Sequence, residues 1–257
     1  MAPLVSVIVP ILADHDAARH LIAQIPANLP IEIIVAEAGD SGGLESLSQG
    51  RAEIKLIHTR RGRGVQMNSA ARFARGEWLL FLHADSQLPL DWLDRFQAVV
   101  QAAEHRIESD RGSRRVRAKR FGEPRRNRAE TRIPNPEIVG GWFRFALDDP
   151  AWQARFIERA VAWRVRVFRL PYGDQGLFVR RQTFDELGGY REIALMEDVD
   201  FVRRLVNRGR VVEVPHAIVT SARRWRRDGW FRRSARNMAL LGLYFCGVPP
   251  RVLARWY

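Results

Sequence analysis

Apolar residues fall first in short dense runs and then at helical spacing, and this alternation repeats through the first hundred positions. Leu4 to Pro10 (LVSVIVP) is a β-branched run closed by proline, which predicts a buried parallel strand. Asp16 to Ile25 sets Ala17, Leu21, Ile22 and Ile25 at helical spacing before Pro26 and Pro30 break the pattern. Ile31 to Ala36 (IEIIVA) predicts a second strand, ending at Glu37 and the turn-forming Gly39-Asp40-Ser41-Gly42-Gly43. Ile54 to His58 predicts a third strand, Gln66 to Arg75 a helix stopped by Gly76, and Trp78 to Leu82 (WLLFL) a fourth strand. Strands alternating with helices predict an α/β fold with a doubly wound, mostly parallel central sheet and helices on both faces.

The pattern dissolves after a helix predicted over Leu90 to Ala103. From Glu104 to Pro136 aliphatic residues nearly vanish, and Gly112, Gly122, Pro124, Pro134 and Pro136 interrupt the chain. A basic surface loop inserted into the domain is expected there. Order resumes at Val139 to Ala146, followed by a helix from Trp152 to Phe168 and a strand from Gly176 to Arg180. Val199, Val202, Leu205 and Val206 form one helical face stopped by Gly209, and Val211 to Val214 predicts a last strand. The tail from Trp230 to Leu253 is amphipathic, with breaks at Gly247, Pro249 and Pro250.

With 257 residues and 46% hydrophobic content, the chain can bury one sizeable core. Its formal net charge of +13 points toward anionic partners. Only Lys55 and Lys119 of the 42 basic residues are lysines, an arginine bias that coding composition could produce without any ligand. Residues 106–132 hold eleven basic against four acidic residues, so much of the excess lies in the insertion. The segment Arg223 to Arg233 raises a nucleic-acid-binding alternative, but no base-reading module accompanies it, and no nucleic-acid partner is expected. The single Cys246 cannot form an intramolecular disulfide or a multi-cysteine zinc site, which suits a reducing cytoplasm. No signal-peptide pattern opens the sequence, and no apolar run approaches the roughly 20 residues that span a bilayer. The expected location is cytoplasmic, with peripheral contact at the inner face of the membrane as an option. Phe231 to Gly247 leaves two readings open, since its apolar residues beside Arg232, Arg233 and Arg236 suit either an anionic membrane or packing on the domain.

Candidate chemistry gathers where an open α/β sheet places its ligands, outside the carboxyl ends of the strands. Glu37 closes the second strand and His83-Ala84-Asp85 follows the fourth, so two acids share one crevice. A nucleotide with a divalent metal fits that arrangement.

The order of motifs resembles the family 2 glycosyltransferases of GT-A fold. The matching pieces are SVIVP (Ser6 to Pro10), EIIVAE (Glu32 to Glu37), RGRGVQMNSA (Arg61 to Ala70), LLFLHADSQLP (Leu79 to Pro89) and MEDVDFVRRL (Met196 to Leu205). GRxxQMN, LHADxxLP, YGDQGLFVRR and TSARRW are further similar to a bacterial subgroup assigned to arsenosugar biosynthesis. Coverage is about 4–100 and 138–228. The resemblance implies one GT-A domain over 1–229, with a nucleotide-binding half at about 1–100, the insertion at about 104–136 and an acceptor-side half at about 138–229. A helical tail, 230–257, follows.

What the resemblance implies about function is transfer of a sugar from a nucleotide-diphosphate sugar to an acceptor hydroxyl, metal-dependent and inverting. The acceptor, a small molecule or a lipid-linked one, is left open. Asp198 would be the base and Glu197 its support, with helix capping by either acid as the plainer alternative. Pro10, Glu37, Arg61, Arg63, Gln66, Asn68, His83 and Asp85 would meet the donor. Asp85 would hold Mn²⁺ or Mg²⁺, with His83 and His216 as further candidate ligands. Trp142, Asp174, Gln175, Arg223 and Arg224 are candidates for acceptor or diphosphate contacts. His83 departs from the usual Asp-x-Asp pattern, which puts two-carboxylate coordination in doubt. A sugar-nucleotide nucleotidyltransferase is the enzyme alternative, but Pro10-Ile11-Leu12-Ala13 lacks the Gly-rich, lysine-bearing signature after strand one.

Overall fold

The computed structural model describes residues 3–12, 14–39, 44, 51–121 and 135–257. Its strands are β1 (Val5–Ile11), β2 (Ile31–Ala38), β3 (Ile54–Thr59), β4 (Trp78–Phe81), β5 (Ser86–Gln87), β6 (Asn135–Leu147), β7 (Leu177–Arg180) and β8 (Gly209–Thr220). They form one eight-stranded sheet in the order β3-β2-β1-β4-β7-β6-β8-β5. The β3-β2-β1-β4 half is parallel throughout, β7 runs antiparallel to both neighbours, and β6 and β8 are again parallel. Every residue of β2 is buried, as expected of a strand covered on both faces, and its two acids, Glu32 and Glu37, are buried with polar partners.

Strand alternation divides the core. Val5, Val7, Val9 and Ile11 of β1 face α1 (His15–Gln24) and the start of α3 (Trp92–Phe121), which supply Leu21, Ile22, Trp92 and Phe96. Ile8, Ile34 and Ala36 face the opposite side, where α2 (Arg63–Ala71) brings Met67 and α6 (Glu197–Arg208) brings Val199, Val202 and Leu205. A smaller cluster joins the end of β6 to α4 (Trp152–Phe168) and α7 (Arg223–Asp228) through Phe145, Ile157 and Trp225. The remaining helices are α5 (Arg181–Glu186), α8 (Trp230–Phe245) and α9 (Pro250–Leu253).

The elements depart from the sequence expectation in three places. Helix α3 does not stop at Ala103 but continues to Phe121, so the first part of the expected basic loop is helical. No proline falls between Pro89 and Pro124, arginine and glutamate are good helix formers, and Ile107, one helical repeat beyond Val100, is buried in the core. Residues 122–134 of that insertion lie outside the described residues, as does the glycine-rich turn beyond Gly39. Strand β8 does not end at Val214. A register shift between Phe143 and Arg144 of β6 passes over Pro215 and His216, after which pairing resumes through Thr220. Helix α2 ends at Ala71, before Gly76. Gly76 instead lets two backbones meet: a Cβ there would lie 2.6 Å from the Ser6 amide nitrogen, and its own N–H donates to Ser6 Oγ at 2.9 Å.

The tail packs on the domain through buried Leu240 and Leu241. Among the described residues, no helix is long and apolar enough to cross a membrane.

Candidate active site

A cavity of about 230 Å³ opens where the loop after β4, the end of β8 and the N-termini of α2 and α6 converge. Its polar side is made by Arg63, His83, Asp85, Asp174, Glu197, Asp198 and Arg224, and α4 and α8 wall the other side. The short β5 fixes the turn that carries Asp85. Ser86 pairs with Thr220, the Ser86 amide donates to the His83 carbonyl at 3.1 Å, and the Ser221 amide donates to the Asp85 carbonyl at 3.3 Å.

Glu197 and Asp198 open α6 directly after Met196, a non-glycine residue in the left-handed region at φ 68°. That conformation costs about 1–2 kcal/mol and turns the chain abruptly into the cavity. Adjacent positions diverge on a helix, and the two acids have different partners. Asp198 Oδ2 accepts a hydrogen bond from the Gly173 amide at 2.8 Å, and its Oδ1 accepts one from Val199 at 2.8 Å. Glu197 is buried, and its Oε1 lies 3.6 Å from Arg63 Nε. Burial and the neighbouring Asp198 raise the Glu197 pKa, and Arg63 works against both.

Arg63 reaches past Glu197 to His83 Nε2. A Cβ on Gly173 would meet Arg63 Nη2 at 2.3 Å, so the missing side chain makes room for the guanidinium. Burial disfavours the charge on Arg63, but Glu197, Asp198 and their neighbours outweigh it and raise the pKa. His83 is pushed well below its ordinary value by burial and by Arg63 and Arg224, so its imidazole is neutral. Burial lifts Asp174 to about 6, with Asp198 adding to the effect and Arg164 and Arg63 opposing it.

The remaining candidates divide. Gln66 is buried and its amide donates to the carbonyls of Ile11 (2.6 Å) and Ala36 (2.8 Å), tying the ends of β1 and β2. Asn68 clamps Tyr190 through both backbone groups at 2.8 Å. Gln175 accepts from the Tyr172 amide at 3.2 Å and donates to the Phe143 carbonyl at 3.3 Å. These three amides are consumed by bracing the backbone and do not line the cavity. Nor does Glu37, which is fully buried between His15 (2.7 Å) and His58 (3.4 Å). Pro10 and Arg61 also lie outside the cavity lining, and Arg223 is exposed and pairs with Asp14 at 2.9 Å. Trp142 is buried on β6 and faces a second groove beneath α4. His216 sits in the β8 irregularity against Arg95 of α3, so it does not join His83 and Asp85.

Sequence reasoning missed Arg164 and Tyr172. Arg164 is buried on α4 and stacks over the Tyr172 ring at 3.5 Å, leaving Nη2 buried without a hydrogen-bond partner among the described residues. The available signal was an arginine at helical spacing from Ile157 and Val161 on an otherwise apolar face.

Among the described residues, no group of three or more His, Cys, Asp or Glu side chains could by itself hold a metal ion. A hard cation completed by substrate phosphates needs only one or two protein carboxylates. Asp85 lines the cavity, and no hydrogen bond or ion pair among the described residues takes up its carboxylate. The donor set therefore fits Mg²⁺ or Mn²⁺ held by Asp85 with substrate oxygens, whereas Nε2 of His83 is already engaged by Arg63.

Comparison with known proteins accords with this geometry. Residues 6–166 match the family described as Glycosyl transferase family 2. The chain belongs to that family. Its fold is shared with the mannosyltransferase PcManGT from Pyrobaculum calidifontis, solved in complex with GDP-Man and Mn²⁺ (17% identity, TM-score 0.52, covering 85% of this chain and 57% of that one). It is shared also with S. aureus TarS 1–349 in complex with UDP-GlcNAc (14% identity, TM-score 0.54, covering 84% and 58%) and with S. aureus TarS (14% identity, TM-score 0.56, covering 84% and 36%). The chain thus spans less than two thirds of each of these structures. No curated protein matches it.

Proposed function

We propose that this chain transfers a glycosyl group from a nucleoside-diphosphate sugar to an acceptor hydroxyl, with inversion at the anomeric carbon. The observation that carries the reading is the placement of Asp198, held by the Gly173 amide at the mouth of α6, in the same cavity as Asp85. Asp198 takes the acceptor proton as the acceptor oxygen attacks the anomeric carbon, the bond from that carbon to the diphosphate oxygen breaks, and the nucleoside diphosphate leaves. A divalent cation, when bound, supplies positive charge to the leaving diphosphate, and Asp85 would hold it. Neutral His83 and charged Arg63 give the donor side of the cavity both a dipole and a cation, and Arg164 and Arg224 add positive charge where phosphate or an anionic acceptor would sit. The resemblance of GRxxQMN, LHADxxLP and TSARRW to the arsenosugar subgroup favours a small-molecule acceptor, and the apolar side walls favour a lipid-linked one.

A thermal-shift panel of nucleoside diphosphates with and without Mn²⁺ tests the reading. Stabilisation by one or more of them that requires the metal is expected, and no stabilisation by any nucleotide in the presence of Mn²⁺ would contradict it.

A further inference from the structure

Helix α4 presents an apolar stripe to solvent that the domain does not use. Trp152 and Trp163 are 65% and 60% exposed, and Phe156 and Val167 are each more than half exposed. At about 100° per residue these four side chains fall within roughly 60° of one another, on the side opposite buried Ala154, Ile157 and Val165. Phe231 of α8 extends the stripe, with its ring 5.8 Å from Trp152 and 5.9 Å from Phe156. Phe156 and Phe231 also line the cavity, so the stripe runs along its rim.

Charge along the stripe has one sign. Arg159 and Arg166 flank it on α4, and Arg169 stands at the helix end. No ion pair among the described residues takes up these three guanidinium groups. The single acid of α4, Glu158, is committed to Arg155 and to the Leu147 amide, each at 2.8 Å. Exposed tryptophan and phenylalanine bordered by unpaired arginines is the composition of a helix lying in a lipid interface, with its rings at the headgroup level and its cations on anionic headgroups. A second copy of the chain fits less well, because two-fold pairing of this face would bring two arginine-bordered stripes together while the one acid of α4 is already engaged.

We infer that the face formed by the Trp152–Trp163 stripe of α4 and Phe231 of α8 docks on an anionic membrane surface, bringing the cavity rim to the lipid headgroups. This surface goes beyond the transfer reading and does not depend on it, since it requires neither Asp198 nor Asp85.

The test uses the full chain and vesicles of phosphatidylcholine with or without phosphatidylglycerol. The wild type should sediment with the anionic vesicles at low salt, release as salt rises, and stay in solution with phosphatidylcholine alone. The double variant Trp152→Ser/Trp163→Ser alters only exposed side chains outside the cavity, so it should keep the wild-type melting temperature and lose roughly tenfold or more in vesicle affinity. Quenching of tryptophan fluorescence by brominated lipid should fall with it. Absence of sedimentation at low salt would overturn the proposal, and so would a folded double variant that sediments like the wild type. A wild-type dimer that the double variant converts to monomer would assign the stripe to a second copy instead.

Discussion

Arg63 Nε lies 3.6 Å from Glu197 Oε1, so the helix that follows β3 and the helix that carries the Glu-Asp pair are joined by one ion pair inside the cavity. The pair is unequal, with Glu197 almost wholly buried and Arg63 about a third exposed. Replacing Arg63 by Gln leaves a buried carboxylate without its cation. Stability should fall by about 1–3 kcal/mol, less than for a fully enclosed pair because water still reaches the arginine. Adding Glu197→Gln should restore part of the loss. Urea denaturation of the two single variants and the double variant measures the coupling, and strict additivity would show that the two side chains do not interact.

Asp174 gives stability a pH dependence. Its pKa in the folded chain is about 6, against an ordinary value of 3.8, so the folded state binds more protons than the unfolded state between those values. Asp174 therefore makes stability fall as pH rises from about 4 to about 6, and Asp174→Asn should remove that part of the slope. Melting temperatures of wild type and variant across this window are the check, and parallel curves would contradict it.

Ile107 distinguishes a helix packed on the core from a dispensable loop. It is buried beside the core that contains Val100 and Phe96. Ile107→Ala should cost about 2–5 kcal/mol. A change within experimental error of wild type would place this part of the chain off the core.

Asp85→Ala should leave the fold intact and abolish the Mn²⁺-dependent part of nucleoside-diphosphate binding. Isothermal titration with and without Mn²⁺ reads both quantities. A variant that retains the full metal effect would move the cation to other ligands.

The parallel strands were legible in the sequence because strands covered on both faces are apolar over most of their length, as in β1. The predicted last strand stops at Val214 because Pro215 follows it, whereas the register shift past Pro215 and His216 lets β8 continue to Thr220. The helix prediction stops at Ala103 because the sequence beyond is dominated by charged residues, and among the described side chains of that continuation Ile107 is the buried apolar one. At the site, the acids at element ends, Asp85, Glu197 and Asp198, stood out, and all three line the cavity. Gln66 and Asn68 sat in the same motif as Arg63, but only the fold distinguishes an amide turned inward to satisfy carbonyls from a side chain turned toward a ligand. Arg164 went unnoticed because it occupies an apolar helix face, where arginine reads as surface until its burial is known.

In the proposed transfer Asp198 accepts the acceptor proton. Asp198→Asn preserves shape and can still accept the hydrogen bond from Gly173, so metal-dependent donor binding should survive. The direct measurement is single-turnover glycosyl transfer by wild type and Asp198→Asn, with donor affinity determined in parallel. A fall in rate of roughly 10²–10⁴-fold at unchanged donor affinity is the predicted result, and a variant that transfers the sugar at the wild-type rate would show that Asp198 is not the base.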